Sequence, residues 1–563
     1  MTDVKRVLGR CAVVVASLGT LVTTTGAAQS PAPLTVAEVR RIDSTFSDFD
    51  HTDRPGCSLG ISRQGELVYR RGYGMSNLEY GLAISPGSIF HVASISKQFT
   101  AFAIGLLVDD GKLSVDDDVR KYIPEIPSYG KPITLRHLIY HTSGIRDQWT
   151  LLGMGGWREP DVVTEGDILG VVARQKALNF QPGEEYLYSN SGYTLLGIVV
   201  KRVSGLSLHE FAEQRIFRPL GMTSTHFQYD HSMVVPNRTS AYRAYGAAWA
   251  ITIPVFDNEG ATSLQTTPTD LLKWEQNYVV GTVGSARLRE AAMTRGSLNS
   301  GDRIPYGYGL VPETFRGVKA FGHGGVDNGY RADVIRFPES GLAVAVLCNF
   351  AEAAPWVYSR GVAAILLGST LEPAPTQAIV TLSPGELAAL AGFYRSPISD
   401  EVARVDVWGN QLGFYNWGLP LDAVGPRRFG AIGARFEFSD AGKTPIELTA
   451  TLPDLSVFKY LKIEPPVVPL SALAQYAGHY WSDEVGVGYD VVLKDSVLAL
   501  HRRKSDDAPL VGVFEDGFVS ADALGTLHFV RKAGARGGAV TGFRLTGSRV
   551  RNVTFGRVAE SRM

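Results

Sequence analysis

Ser94 and Lys97 stand three residues apart at the head of an apolar stretch, a spacing that puts a hydroxyl and an amine on one helix face. A serine hydroxyl attacks a carbonyl only when a base takes its proton and donors receive the oxyanion that forms. Unpaired N–H groups at a helix start supply part of that stabilisation. Lys97 is the candidate base, provided that burial or nearby positive charge lowers its pKa from the ordinary value of about 10.4. Tyr188 opens the triplet Tyr188-Ser189-Asn190 and is the candidate relay, able to take the serine proton and pass it to a leaving group. Asn190 carries a donor and an acceptor with which to orient Lys97 or hold a substrate amide. The triplet His323-Gly324-Gly325 completes the set, its glycines letting a substrate backbone approach a strand edge.

Order and context make the trio more specific than its parts. Ser-x-x-Lys recurs at Ser128 to Lys131 and at Ser456 to Lys459. Only the first copy opens a helical pattern, with Phe99, Phe102, Ala103, Leu106 and Leu107 on one buried face and Gly111 as a stop. The copy at Ser128 contains Gly130 and abuts Pro132, a loop signature, and the copy at Ser456 lies in a strand-rich region. Among 23 tyrosines Tyr188 alone begins a Tyr-x-Asn triplet, and His323 alone begins a His-x-Gly. Gly56-Cys57-Ser58-Leu59-Gly60 imitates a nucleophile elbow, but a hairpin rather than a helix follows Ser58. His137 and His141 have zinc-pair spacing without the glutamate a metallopeptidase uses, so they are read as local packing. Lys532-Ala533-Gly534 is read as a hairpin turn.

These groups need a scaffold, and 563 residues with 45% hydrophobic and 20% charged side chains suffice for several globular domains. A formal net charge of −1 gives no reason to expect nucleic acid or an anionic membrane as partner, which leaves a small-molecule or peptide substrate. No cofactor is implied. Residues 1–28 read as a secretory signal peptide: Lys5, Arg6 and Arg10, then an apolar run from Cys11 to Val22, then Gly26-Ala27-Ala28. Periplasmic or secreted placement follows, without stable membrane insertion. Beyond that leader the cysteines are Cys57 and Cys348, read as buried free thiols, a bridge between them being the alternative.

Proline-rich stretches at Leu371 to Pro375 and Glu464 to Pro469 divide the rest into residues 35–370, 379–464 and 470–563. The first piece has a hairpin from Cys57 to Tyr73, a helix around Leu195 to Val203 and late strands near Arg331 and Ala343, the pattern of an α/β or α+β sandwich. The other two are duplicates, since Leu387 to Tyr394 aligns with Leu473 to Tyr480 and each continues with short alternating strands, as in a small antiparallel barrel or sandwich. Neither carries a catalytic constellation, which assigns them a structural or gating role.

With these residues in place, the chain resembles the penicillin-recognising serine hydrolases: class C β-lactamases, D,D-carboxypeptidases, related esterases and D-aminopeptidases. Pro55-Gly56, Leu135 to Gly144, Leu220-Gly-Met222 and Tyr306-Gly-Tyr-Gly309 add to the likeness, which covers residues 35–370. It implies a β-lactamase-like sandwich, an antiparallel sheet flanked by helices, and the duplicated part is similar to the D-aminopeptidase branch, with two eight-stranded barrels. By resemblance Ser94 is acylated, Val326 N–H is the second oxyanion donor, and Asn190, His323, Gly325 and Val326 bind substrate. Two departures matter. His323 stands where penicillin-binding relatives have lysine, and a mostly neutral histidine attracts a substrate carboxylate less. Ser520 to Thr526 is short where the D-aminopeptidase has a loop reaching its active site. The expected activity is therefore D-aminopeptidase-like amide cleavage, the alternatives being an esterase, a weak β-lactamase or an acylated sensor that barely turns over.

Overall fold

A computed structural model of the chain describes residues 32–374, 380–503, 505–532 and 538–559. The proposed leader and the turn after Lys532 lie outside the described residues, as does Pro375 of the first linker. Among the described residues no helix is long and apolar enough to cross a membrane.

The first domain is built on a six-stranded antiparallel sheet. Its strands are β1 (Cys57–Arg63), β2 (Glu66–Tyr73), β3 (Val311–Phe315), β4 (Val318–Asp327), β5 (Tyr330–Phe337) and β6 (Leu342–Cys348), in the spatial order β3-β4-β5-β6-β1-β2. Both faces are covered, so β6 is buried at every position. Alternate residues divide between the two sides. Leu342, Val344, Val346 and Cys348 join the core formed with the helices α1 (Val36–Thr45) and α5 (Pro355–Leu367). Ala343, Ala345 and Leu347 face the larger core that contains α2 (Ser96–Asp109), α3 (Asn190–Ser204) and α4 (Pro268–Val280).

Helix α2 is more enclosed than its sequence pattern predicts. Every residue from Ser96 to Leu107 is buried, not a single stripe. A helix buried on all sides belongs at the centre of a large domain. Its start is also displaced: Ser94 sits in a short 3₁₀ turn, Ala93–Ile95, just before α2 begins at Ser96. Helix α3 starts at Asn190 and ends on Gly205, whose φ of 78° suits the left-handed cap only glycine adopts at little cost.

Cys57 and Cys348 form a disulfide, which corrects the free-thiol reading. The cause is register. On the antiparallel pair β1 and β6 the two residues are direct partners, so their side chains leave the sheet together. That pairing joins positions 291 residues apart and is invisible to local sequence.

The C-terminal repeats are two closed eight-stranded antiparallel barrels, running from Gly392–Arg395 to Val457–Ile463 and from Gly478–Ser482 to Val550–Val558. The duplication extends to a hydrogen bond: Tyr394 donates its hydroxyl to Leu390 O (2.6 Å), and Tyr480 donates to Tyr476 O (2.7 Å). The first barrel has its own apolar core, whereas the interior of the second is continuous with that of the catalytic domain. At that seam Arg146 donates to Glu484 (2.6 Å) with both side chains almost fully buried, and Tyr489 donates to Met154 O.

Candidate active site

A cleft of about 610 Å³ lies between the sheet, the 3₁₀ turn before α2 and loops from both barrels, and it contains Ser94, Tyr188, Asn190, His323, Gly325 and Val326. Lys97 is beneath them, wholly buried. Its ammonium nitrogen is 3.0 Å from Ser94 Oγ, 2.9 Å from Asn190 Oδ1 and 2.7 Å from Ala261 O. Burial lowers the Lys97 pKa to about 7, with the Asp147 carboxylate opposing and Arg549 adding to the effect. Three partners suit both states of the amine. Charged, it donates to all three; neutral, it keeps two N–H bonds to Asn190 and Ala261 and turns its lone pair to the Ser94 hydroxyl.

Asn190 is fixed from behind by Asp147, a residue the sequence reading passed over. Asp147 Oδ2 accepts from both Asn190 N (2.8 Å) and Asn190 Nδ2 (2.9 Å), which turns Asn190 Oδ1 toward Lys97. Its other oxygen caps the helix Gln148–Met154 through Trp149 N at 3.1 Å. The signal that could have found it is an aspartate directly before a helix, a favoured cap residue.

Tyr188 is buried against Lys97, whose ammonium lies 4.9 Å from the ring centroid. Desolvation holds its phenol well above the ordinary range, and the hydrogen bond with Ser94 opposes this. His141, assigned from sequence to packing, does pack: its ring lies 4.1 Å from that of Tyr188. Its Nδ1 accepts from Ser189 N at 3.1 Å, so it also holds the Tyr188 segment in place. His137, by contrast, accepts from Thr134 N at the head of its own helix, 3.1 Å away. The two do not converge as a zinc pair.

His323 is buried and neutral. Its Nδ1 is 2.5 Å from Gly324 O, to which it donates, and Nε2 accepts from the Tyr306 hydroxyl at 2.8 Å. Burial is the main reason its pKa falls to about 4. A penicillin-type carboxylate therefore meets no cation there. The two glycines that follow differ in role. A Cβ on Gly325 would lie 2.2 Å from Val92 O, whereas one on Gly324 would meet nothing closer than 3.7 Å. Gly325 is required by the close approach of the loop that carries Ser94, where Ala93 adopts a strained φ of 46°. From His323 onward β4 pairs with β5 alone, because β3 ends its pairing at Gly322. The cleft-side edge is thus open beside Ser94.

The barrels contribute directly to the cleft. Leu452, Pro453 and Asp454 reach it from the first barrel and Arg549 from the second. Asp454 and Arg549 form an ion pair, and the Arg549 guanidinium stands 5.0 Å from the Tyr188 ring centroid. Asp454 O accepts from the Tyr186 hydroxyl (2.7 Å), and Ser456 Oγ accepts from Tyr188 N (3.3 Å). Ser456, from the third Ser-x-x-Lys copy, is thus a neighbour of the site that supports the Tyr188 backbone. The 520–526 turn lies elsewhere: Ala521 O accepts from Tyr415, and Thr526 Oγ1 accepts from Val402 N, both in the first barrel. Ser58 is buried within β1, and Lys131 belongs to a surface turn. Among the described residues one cluster has metal-ligating geometry, Asp230, His231 and Asp257, and it includes none of the catalytic candidates.

Residues 42–365, more than half of the chain, match the Beta-lactamase family model. A D-aminopeptidase of Cereibacter sphaeroides is 27% identical over 543 residues, spanning 90% of this chain and 96% of that protein. Penicillin-binding protein 4* of Bacillus subtilis is 29% identical over 306 residues, 51% of this chain and 66% of that protein, so the match spans just under two thirds of it. In fold the chain is similar to the octameric penicillin-binding protein homologue from Pyrococcus abyssi, with a TM-score of 0.54 and 23% identity over 83% of this chain and 98% of the other.

Proposed function

The chain belongs to the beta-lactamase family as a serine hydrolase, and we propose that it is an exported amidase or peptidase that removes amino-terminal D-residues through an acyl-enzyme on Ser94. The observation that carries the chemistry is the Lys97 amine, buried, 3.0 Å from Ser94 Oγ and poised near neutrality. Neutral Lys97 takes the serine proton as Oγ bonds to the substrate carbonyl carbon. The N–H groups of Ser94 and Val326 receive the oxyanion, and the leaving amine departs with a proton delivered through Tyr188. Water then attacks the ester, its proton returns through the Tyr188–Lys97 pair, and Ser94 is regenerated. The substrate class draws on the D-aminopeptidase likeness across both barrels, and on a neutral His323 that offers no cation to a carboxylate. Export draws on the leader-like first 28 residues.

A second reading is a carboxylesterase, favoured by the apolar lining of Trp149, Leu152, Trp157 and Phe256. Turnover of D-alanine p-nitroanilide, p-nitrophenyl butyrate and nitrocefin separates the readings, and amide turnover is the expected outcome. Ser94→Ala should abolish turnover and fluorophosphonate labelling; labelling that persists on another serine would overturn the assignment. A mass adduct on Ser94 that never decays would instead indicate a sensor.

A further inference from the structure

Hydrolysis at an amino-terminal residue requires that the substrate ammonium be read, and in this chain the 520–526 turn packs on the first barrel instead of the cleft. Four carboxylates line the cleft: Glu159, Asp161, Asp327 and Asp454. Three already face a guanidinium. Asp454 pairs with Arg549, Asp161 with Arg158 at 2.8 Å and Glu159 with Arg243 at 3.9 Å. Asp327 is held differently. Its Oδ2 meets His91 Nε2 at 3.0 Å and accepts from the Thr262 hydroxyl at 3.0 Å, while Oδ1 makes no hydrogen bond among the described residues. The cation nearest in sequence, Arg331, is close enough to attract Asp327 electrostatically but forms no ion pair with it among the described residues, donating instead to the carbonyls of Asn328 (2.7 Å) and Tyr330 (2.8 Å).

The placement of Asp327 is specific. On β4, residues 323, 325 and 327 share the face that looks toward the nucleophile's loop, since Gly324 and Val326 are turned outward and exposed. Asp327 stands two residues past Gly325, roughly 7 Å along the strand. A carboxylate there can meet an ammonium carried on the α-carbon beside the reacting carbonyl through a charge-assisted bond of about 2.8 Å. Behind it His91 is 2% exposed, boxed by Tyr330 and Phe256. A cleft-facing carboxylate with one oxygen fixed by a buried histidine and a threonine and the other free is built to bind a cation.

We propose that Asp327 anchors the α-ammonium of the substrate, with His91 and Thr262 as positioning residues that orient its carboxylate. This rests on the amidase reading and names the group by which the site selects amines.

The test compares kcat/KM for D-alanine p-nitroanilide and for propionyl p-nitroanilide, which lacks the amine. Wild-type enzyme should favour the amine-bearing anilide by at least 100-fold, and Asp327→Asn should reduce that ratio at least tenfold. An unchanged ratio would overturn the proposal. Should Asp327→Asn fail to fold, the wild-type pH profile decides: KM for D-alanine p-nitroanilide should rise as its ammonium deprotonates, above a pKa of about 8, and KM for the propionyl analogue should not. A flat KM for both refutes the anchor. Equal cleavage of the two anilides by wild-type enzyme refutes the anchor and leaves the amidase reading intact. Cleavage of neither, with p-nitrophenyl butyrate still hydrolysed, refutes the amidase reading and the anchor with it.

Discussion

Replacing Arg549 with methionine should shift the acid limb of the pH–rate profile upward, although Arg549 is contributed by the last barrel. Its guanidinium and the Lys97 ammonium lie 5.0 and 4.9 Å from the Tyr188 ring centroid, so the two cations are no more than about 10 Å apart. Two unit charges at that distance repel by about 1.7 kcal/mol at an effective dielectric constant of about 20. One pKa unit corresponds to about 1.4 kcal/mol, so losing this repulsion raises the Lys97 pKa by about one unit. Removing Arg549 also leaves Asp454 unpaired, and its negative charge pushes the lysine in the same direction. The base works only when neutral, so activity is lost below its pKa. From a starting value of about 7, a one-unit rise cuts the neutral fraction at pH 7 from about one half to about one tenth, a loss of roughly fivefold. That loss should vanish near pH 9. The assay is kcat/KM against pH, whose acid limb reports the free enzyme's base. Asp454→Asn/Arg549→Met should show a smaller shift than Arg549→Met alone. A loss of equal size at every pH would refute the argument and reduce Arg549 to a packing residue.

Other perturbations probe the scaffold. Gly325→Ala drives a methyl to within 2.2 Å of Val92 O and should lower kcat at least 100-fold by displacing the nucleophile's loop, with secondary structure preserved by circular dichroism. Arg146→Met leaves Glu484 as a buried unpaired carboxylate and should cost about 3–5 kcal/mol in denaturant unfolding. Replacing Cys57 and Cys348 with serine should cost about 2–5 kcal/mol, and reductant should lower the stability of the wild-type protein but not of that variant.

Local chemistry was readable from the chain. The spacing of Ser94 and Lys97, the triplet at Tyr188 and the glycines after His323 each concern residues within one or two turns of backbone, where helix and strand periodicity decides which side chains share a face. The hairpin from Cys57 was legible for the same reason, and the duplicated barrels from the recurrence of Leu387 to Tyr394 at Leu473 to Tyr480. Other features are properties of the folded whole. Burial sets the proton affinity of Lys97, and burial is a sum over neighbours from every part of the molecule. Asp147, His141 and Ser456 gain their roles by meeting Asn190, Ser189 and Tyr188 across 43, 48 and 268 residues. Cys57 finds Cys348 because two strands align in register. The barrels, read from sequence as structural or gating, complete the cleft with Asp454 and Arg549, because closed barrels abolish sheet edges and leave their loops free to reach a neighbouring domain. Residue type and short-range period thus determined which groups can react, while long-range packing determined which of them are charged, how they are oriented and what surrounds them.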